Sequence, residues 1–177
     1  LGLMLHMEKI NHSYPHCWRC RKPVIFRATE QWFVGIDHKN LRTNALEEIK
    51  KSDWIPSWGE VRLSNMIKDR PDWCISRQRS WGVPIPAFYC TSCNESLLDV
   101  KVVNHVRDMF LKHGADSWFY KETNEFLPEG TKCPKCGSAD FEKENDIFDV
   151  WFESGSSHHS VVNNRDELNF PADLYLE

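Results

Sequence analysis

Six of the seven cysteines in this 177-residue chain fall into three pairs, each with two residues between the cysteines. The pairs are Cys17/Cys20, Cys90/Cys93 and Cys133/Cys136. Two thiolates at this spacing can bind one side of a tetrahedral metal ion from a tight turn. An odd number of cysteines in such regular pairs argues against the disulfide framework of a secreted protein. We therefore expect metal chemistry in a reducing compartment, the cytoplasm.

The second and third pairs together supply four thiolates, which is the ligand set of a closed structural Zn²⁺ site. Gly137 directly follows the third pair and allows the left-handed backbone that such a turn often needs. Four residues are therefore predicted to bind one structural zinc ion: Cys90, Cys93, Cys133 and Cys136. The alternative is two unrelated pairs of reduced or redox-active thiols.

The first pair has no second pair left to complete a site within this sequence. Cys17 and Cys20 are either half of a second zinc site, completed by ligands elsewhere in a longer protein, or free thiols. The seventh cysteine, Cys74, lies between apolar residues and reads as a buried core thiol.

Charge and hydropathy restrict the remaining functions. The formal net charge is −4, so no overall positive field attracts nucleic acid. Any RNA contact must come from local clusters such as Arg77 and Arg79, which lie near two tryptophans, although internal salt bridges would use the same residues. No apolar run approaches the roughly 18 residues of a membrane-spanning helix, so we expect no membrane partner.

The hydrophobic pattern predicts a mixed α/β (α+β) fold. Residues 24–26, 31–34 and 147–152 read as strands, and residues 83–89 as an extended segment that its prolines restrict to a sheet edge. Three helices are expected. The first covers residues 41–49, with Asn40 as its N-terminal cap, and the second covers residues 61–67, with Val61, Met66 and Ile67 facing inward. The third covers residues 102–110 and ends near Gly114. Residues 154–157 read as a small-residue loop, and His158 and His159 as part of it.

Several distinctive stretches occur in a fixed order along the chain. They are Tyr-Pro-His-Cys-Trp-Arg-Cys (14–20), Ala-Thr-Glu-Gln-Trp-Phe (28–33), Asp-Trp-Cys-Ile-Ser-Arg-Gln-Arg-Ser-Trp-Gly-Val-Pro-Ile-Pro (72–86), Asp-Val-Trp-Phe-Glu-Ser-Gly-Ser-Ser-His (149–158) and Asp-Leu-Tyr-Leu-Glu (173–177). Together they resemble the class I aminoacyl-tRNA synthetases for branched aliphatic amino acids. The run from 73 to 78 is shared with the valine enzymes, whereas 79–86 and 151–158 are most similar to the isoleucine enzymes.

The resemblance implies part of an interrupted Rossmann-type catalytic domain with an inserted zinc-ribbon-like subdomain that has four cysteine ligands. Residues 1–16 would be a connector from the editing insertion, 17–87 framework with half a zinc site, 88–146 the zinc subdomain, and 147–177 a return strand and pocket segment. Both ends of the chain then read as interior positions of a longer enzyme.

The implied parent enzyme activates isoleucine with ATP and Mg²⁺, transfers it to tRNA(Ile), and edits valine. The 177 residues contain neither ATP signature of the family, His-Ile-Gly-His or Lys-Met-Ser-Lys-Ser. We therefore expect this segment alone to be inactive, and monomeric.

Two substrate contacts follow from the resemblance alone. Trp151 matches the residue that lies along the isoleucine side chain, and Glu177 matches an acidic residue beside the isoleucyl-adenylate. Without the resemblance, Trp151 would be read as core packing and Glu177 as a solvated carboxylate.

A different class of function is a free-standing zinc-ribbon module that binds nucleic acid or protein. Such a module predicts a basic face and a natural start codon, and the sequence offers neither.

Overall fold

The computed structural model describes residues 2–173, and the chain divides into two compact units, residues 1–30 and 31–177. In the first unit, an isolated antiparallel bridge between His16 and Pro23 closes the turn that carries the first cysteine pair.

The predicted strand over residues 24–26 is wrong. These residues form no strand, and the side chains of Ile25 and Phe26 are exposed. Their β-branched and aromatic composition favours a strand only where a neighbouring strand is available for pairing, and the first unit does not supply one to them within its described residues.

The second unit alternates short strands with helices. In chain order its described elements are β1 Phe33–Val34, α1 Leu41–Lys51, α2 Trp58–Lys68, β2 Trp73–Cys74, β3 Ser76–Arg77, β4 Phe88–Cys90, β5 Ser96–Leu97, α3 Val100–His113, α4 Ser117–Tyr120, β6 Phe141–Lys143, β7 Ile147–Phe148 and α5 Val150–Ser160. Single 3-10 turns occupy His38–Asn40, Thr123–Phe126 and Val162–Asn164. Among residues 2–173, none of these helices has the length and apolar character of a membrane span.

The strands form three small sheets, with the orders β1-β2, β3-β7 and β5-β4-β6. Every pairing between them is antiparallel. The predicted mixed architecture is confirmed, and the described strands do not themselves form a parallel nucleotide-binding sheet.

Helices α1 and α2 form an antiparallel hairpin, as the periodicity predicts for α1. The guanidinium of Arg42 in α1 joins them, because it donates to the Ile67 carbonyl of α2 at 2.6 Å; it also donates to the Asp37 carboxylate, which precedes α1, at 2.7 Å. The prediction that the side chains of Val61 and Met66 in α2 face inward is wrong, because both are exposed.

The core of the second unit lies under the second and third cysteine pairs. Trp118 is fully buried there, with ring centroids 5.2 Å from Phe88 and 5.0 Å from Phe126. Around them pack residues from β4, β5, α3, β6 and the turn of the third cysteine pair: Cys90, Leu97, Val102, Val106, Cys133 and Phe141. The prediction that residues 83–89 lie at a sheet edge is wrong for the last two of them. These two residues belong to β4, which begins after the prolines and is the central strand of its sheet.

The predicted strand over residues 147–152 is only partly formed. β7 ends at Phe148, and Asp149 then caps α5, whose first turn contains Trp151. The small residues 154–157 and the two histidines after them belong to this helix rather than to a loop. Gly and Ser usually weaken helices, so the composition of this segment indicates a loop. The helix forms nevertheless, because Asp149 caps its first turn and the preceding strand β7 is paired.

Candidate functional site

The structure brings the sulfurs of four cysteines together. All four Sγ atoms lie within 4.8 Å of one another, namely those of Cys90, Cys93, Cys133 and Cys136. Two cross-pair distances, between Cys90 and Cys136 and between Cys93 and Cys133, are 3.5 Å. A tetrahedral ion with metal–sulfur bonds of about 2.3 Å requires sulfur–sulfur edges of about 3.8 Å, so this arrangement could hold one metal ion with four ligands.

Each cysteine pair of this centre sits in a turn of the same construction. In the first turn the amide of Cys90 donates to the Glu95 carbonyl at 2.9 Å, and the amide of Asn94 donates to the Cys90 carbonyl at 2.8 Å. The turn at Cys133 repeats both bonds at the equivalent positions, at 2.8 and 2.9 Å. The residue after each pair has a positive φ, 57° at Asn94 and 78° at Gly137, which Asn and Gly adopt at least cost.

The four thiols differ in acidity. Burial raises the pKa of Cys133, but hydrogen bonds from the Cys136 and Lys135 amides outweigh burial and lower the pKa to about 6. The Glu95 amide lowers the pKa of Cys93, whereas burial and the three neighbouring thiols raise it, with a net value of about 12. The four thiols are therefore unequally acidic, and a metal ion would have to displace the protons that remain on the sulfurs.

The centre is closed rather than catalytic in construction. Cys90 and Cys133 are buried, and the salt bridge from Lys135 Nζ to Glu95 Oε2 at 3.0 Å joins the two turns on the outside. Four sulfur donors leave no position for water or substrate on a tetrahedral ion. A metal here would stabilise the fold of the surrounding core.

The first cysteine pair adopts the same turn. The amide of Cys17 donates to the Lys22 carbonyl, and the amide of Arg21 donates to the Cys17 carbonyl, both at 2.8 Å. Arg21 has a φ of 59° at the position that Asn94 and Gly137 occupy in the other turns. Within residues 2–30, no further His, Cys, Asp or Glu side chain joins Cys17 and Cys20 in a metal-binding group. The turn therefore offers two ligands.

Trp151 lies at the boundary of two cavities of the second unit, with 61% of its surface exposed. One cavity has a volume of about 740 Å³ and is also lined by Arg79, Trp81 and Val83. The other has a volume of about 540 Å³ and is lined mainly by apolar side chains of α1 and α2. This exposure shows that Trp151 is not part of the core of the second unit.

Asp149 connects Trp151 to the preceding strands, a role that the sequence reasoning missed. Its carboxylate accepts hydrogen bonds from Trp73 Nε1 at 3.1 Å and from Arg77 Nη2 at 2.8 Å. The other oxygen accepts from the amide of Trp151 at 3.3 Å. An Asp directly before a helix is a capping signal that could have identified it, but the segment was read as a strand.

The two candidate RNA-binding arginines have different environments. Arg77 is engaged internally, because besides Asp149 it donates to the carbonyls of Cys74 and Ser76 at 2.9 and 2.7 Å. Arg79 lines the larger cavity. Cys74 is half-buried rather than buried, with its thiol 3.3 Å from the Gln31 amide oxygen.

Glu144 is a second buried carboxylate that the sequence reasoning missed. Its Oε2 accepts from Trp32 Nε1 at 2.7 Å and from the Tyr89 hydroxyl at 2.9 Å. Burial raises the pKa of Glu144, but these bonds and those from the amides of Asn145 and Asp146 outweigh burial and hold the pKa below its ordinary value. Glu144 therefore fastens the segment around β1 to the sheet beneath the cysteine centre.

Comparison with known proteins gives the family of the chain. A family model described as class I tRNA synthetases for isoleucine, leucine, methionine and valine matches residues 7–177. The chain belongs to this family. The match covers both units, so the class I synthetase assignment includes the first cysteine pair as well as the four-cysteine centre.

The relatives of this synthetase chain have a common name. The chain is 58% identical over 177 residues to an isoleucine–tRNA ligase of Geobacter sulfurreducens. It is 58% identical over 176 residues to one of Moorella thermoacetica and 59% identical over 176 residues to one of Kosmotoga olearia. The alignments cover 99–100% of this chain and 19% of each relative, so the chain spans about a fifth of their length.

Several predictions for the synthetase chain stay predictions, including the substrate contact of Trp151, the RNA contact of Arg79, the second zinc site and the monomeric state. Glu177 lies beyond the described residues, 2–173, so its proposed contact with the adenylate stays a prediction. The division into residues 1–16, 17–87, 88–146 and 147–177 also stays a prediction. Family membership gives no support to the alternative of a free-standing zinc-ribbon module.

Proposed function

We propose that this chain is a segment of an isoleucine–tRNA ligase, which activates isoleucine with ATP and Mg²⁺ and transfers it to tRNA(Ile). The observation that carries the proposal is identity of 58–59% along the whole chain to proteins of that name. Neither ATP signature of the family occurs in the 177 residues, so the segment contributes to activity only within the full-length enzyme.

The four-cysteine centre holds a structural Zn²⁺ ion in this proposal. Four thiolates from two tight turns are the ligand set of structural zinc, and they need a reducing compartment such as the cytoplasm. Bound zinc offsets part of the negative charge of the four thiolates and joins β4 to the turn before β6, which stabilises the core around Trp118. Cys17 and Cys20 form half of a second site that ligands from the remainder of the full-length enzyme complete.

Trp151 forms one wall of the isoleucine pocket. Its exposed indole beside a mainly apolar cavity supports this role, because selection of an aliphatic side chain requires apolar surface. Such a wall separates isoleucine from valine by one methylene, which is worth only about 1–3 kcal/mol, so a separate editing step must remove mischarged valine. Glu177 binds the ammonium group of the substrate.

Arg79 contacts tRNA in this proposal. Arg79 and the exposed Trp81 both line the larger cavity, where a guanidinium could bind a phosphate and an indole could stack on a base. Arg77 is assigned to internal pairing with Asp149 instead.

The test is ATP–pyrophosphate exchange by the full-length enzyme that contains this chain. We expect exchange with isoleucine, weaker exchange with valine, and a raised isoleucine KM in Trp151→Ala. Exchange that depends on a different amino acid would overturn the substrate assignment, and an unchanged isoleucine KM in Trp151→Ala would overturn the pocket assignment.

A further inference from the structure

We propose that Asp149 is a positioning residue for isoleucine recognition, because it sets the orientation of Trp151 through a partly buried hydrogen-bond network with Arg77 and Trp73. The inference rests on the proposed role of Trp151 as a pocket wall and goes beyond it, since it assigns a role in recognition to the carboxylate and the two donors that hold the start of the helix containing Trp151.

The backbone of α5 sets the orientation of Trp151. Within residues 2–173, the structure gives the indole ring of Trp151 no hydrogen bond and no ring contact, and 61% of the residue is exposed. In the described part of the chain, no hydrogen bond and no aromatic stacking therefore fixes the ring. Its direction depends on the backbone of the first turn of α5, where χ1 is limited by the helix itself.

Asp149 fixes the first turn of α5. Asp149 is 6% exposed, and one carboxylate oxygen accepts from the Trp151 amide at 3.3 Å as the helix cap. The backbone amide of Asp149 donates to the Ile75 carbonyl at 2.7 Å. The start of α5 is thus attached to the segment between β2 and β3 by main chain and side chain together.

The negative charge of the Asp149 carboxylate requires a partner. Asp149 is buried, and a buried carboxylate is stable only when it is paired and hydrogen-bonded. Arg77 supplies the positive charge at 2.8 Å, and Trp73 supplies a neutral donor at 3.1 Å to the same oxygen. Arg77 is itself held by the carbonyls of Cys74 and Ser76, so the pair is rigid rather than a mobile surface contact.

The geometry also explains why the network acts on recognition rather than on stability alone. Asp149 and Trp151 are the two residues that line both cavities, so a change in the cap would move the indole relative to both spaces. The ring of Phe152 lies 6.1 Å from that of Trp73 and stacks on that of Phe148 at 4.5 Å between centroids, which holds the next residue of the helix against β2 and β7. A shift of the first turn would therefore be expressed mainly at Trp151.

The experiment measures amino-acid activation by the full-length enzyme in four variants: Asp149→Asn, Trp151→Ala, their combination, and Asp99→Asn as a matched control. Asp99 caps α3 in the same way, with its carboxylate accepting from the Val102 amide at 2.8 Å, but it does not line the cavities beside Trp151. We expect Asp149→Asn to raise the isoleucine KM on the order of tenfold while the ATP KM changes less than about twofold. Asp99→Asn should leave both values within about twofold.

The double variant decides whether Asp149 acts through Trp151. If it does, Asp149→Asn causes no further rise of the isoleucine KM in the Trp151→Ala background. A full additional rise would overturn the positioning role, and so would an unchanged KM in folded Asp149→Asn when Trp151→Ala is impaired. If Trp151→Ala itself leaves the KM unchanged, the pocket assignment fails and the positioning role fails with it.

Should Asp149→Asn not fold, Trp73→Phe removes one donor to the same carboxylate and should raise the isoleucine KM about two- to threefold, with no effect in the Trp151→Ala background.

Discussion

The turn at Cys17 and Cys20 and the four-cysteine centre share the same backbone hydrogen bonds but differ in their surroundings. At the centre, two such turns face each other above a core that contains the buried Trp118. In the first unit, a single turn carries Trp18, which is 72% exposed. Local sequence therefore makes the turn, whereas the number of ligands and their burial depend on which other segments pack beside it.

The largest expected difference between the two regions is their dependence on metal. Removal of zinc by a chelator, or Cys133→Ser, should unfold the region around the four-cysteine centre, since zinc binding of about 10–16 kcal/mol is folding free energy in small zinc domains. Metal analysis together with circular dichroism would measure this. Cys74→Ser is the control, because this thiol belongs to no pair and its loss should leave about one zinc per chain. A metal-free chain with unchanged thermal unfolding would contradict the assignment.

A second difference concerns tryptophans beside the two regions. Trp118→Ala should lower the free energy of unfolding by about 3–5 kcal/mol, because the indole is 1% exposed and also donates to the Glu144 carbonyl at 2.9 Å. Trp18→Ala, between the cysteines of the first turn, should change it by no more than about 0.5 kcal/mol. Urea unfolding of the zinc-loaded protein measures both values, and equal losses would show that the first turn is also backed by a core.

The buried carboxylate of Glu144 gives the region around the centre a pH dependence. Because its folded-state pKa is lowered, Glu144 stabilises the fold above the unfolded-state pKa of about 4.3, and this contribution disappears as the pH falls through the folded-state value. Glu144→Gln should cost about 1–3 kcal/mol at pH 7, and the difference from the unsubstituted protein should shrink below about pH 4.5. Urea unfolding at several pH values would measure the difference. Glu142→Gln, an exposed neighbour on β6, serves as the control, and a difference that is constant with pH would refute the linkage.

The smallest expected effect is on the first cysteine pair. Cys17→Ser with Cys20→Ser should leave the zinc content of this 177-residue chain at about one and its thermal unfolding nearly unchanged, because two thiolates alone do not complete a zinc site. In the full-length enzyme the same substitutions should remove one zinc. A fall from two zinc ions to one in the short chain would instead show that the first turn finds its missing ligands within these residues.

The sequence alone determined the features that depend on local spacing. The three cysteine turns follow from their Cys-x-x-Cys spacing, and α1 and α3 follow from the apolar period. These elements form because hydrogen bonds and side-chain contacts between residues three to five apart suffice to specify them. The family likewise follows from stretches that can be read without coordinates.

Only the tertiary structure decided the features that depend on distant partners. Residues 24–26 form no strand, because no described neighbouring strand pairs with them. β4 lies at the centre of its sheet, and residues 150–160 form a helix. The tertiary structure also joined Asp149 to Arg77 and Glu144 to Trp32, across 72 and 112 residues of sequence. A buried carboxylate has to find its donors in space, and no local pattern encodes where in the chain those donors lie.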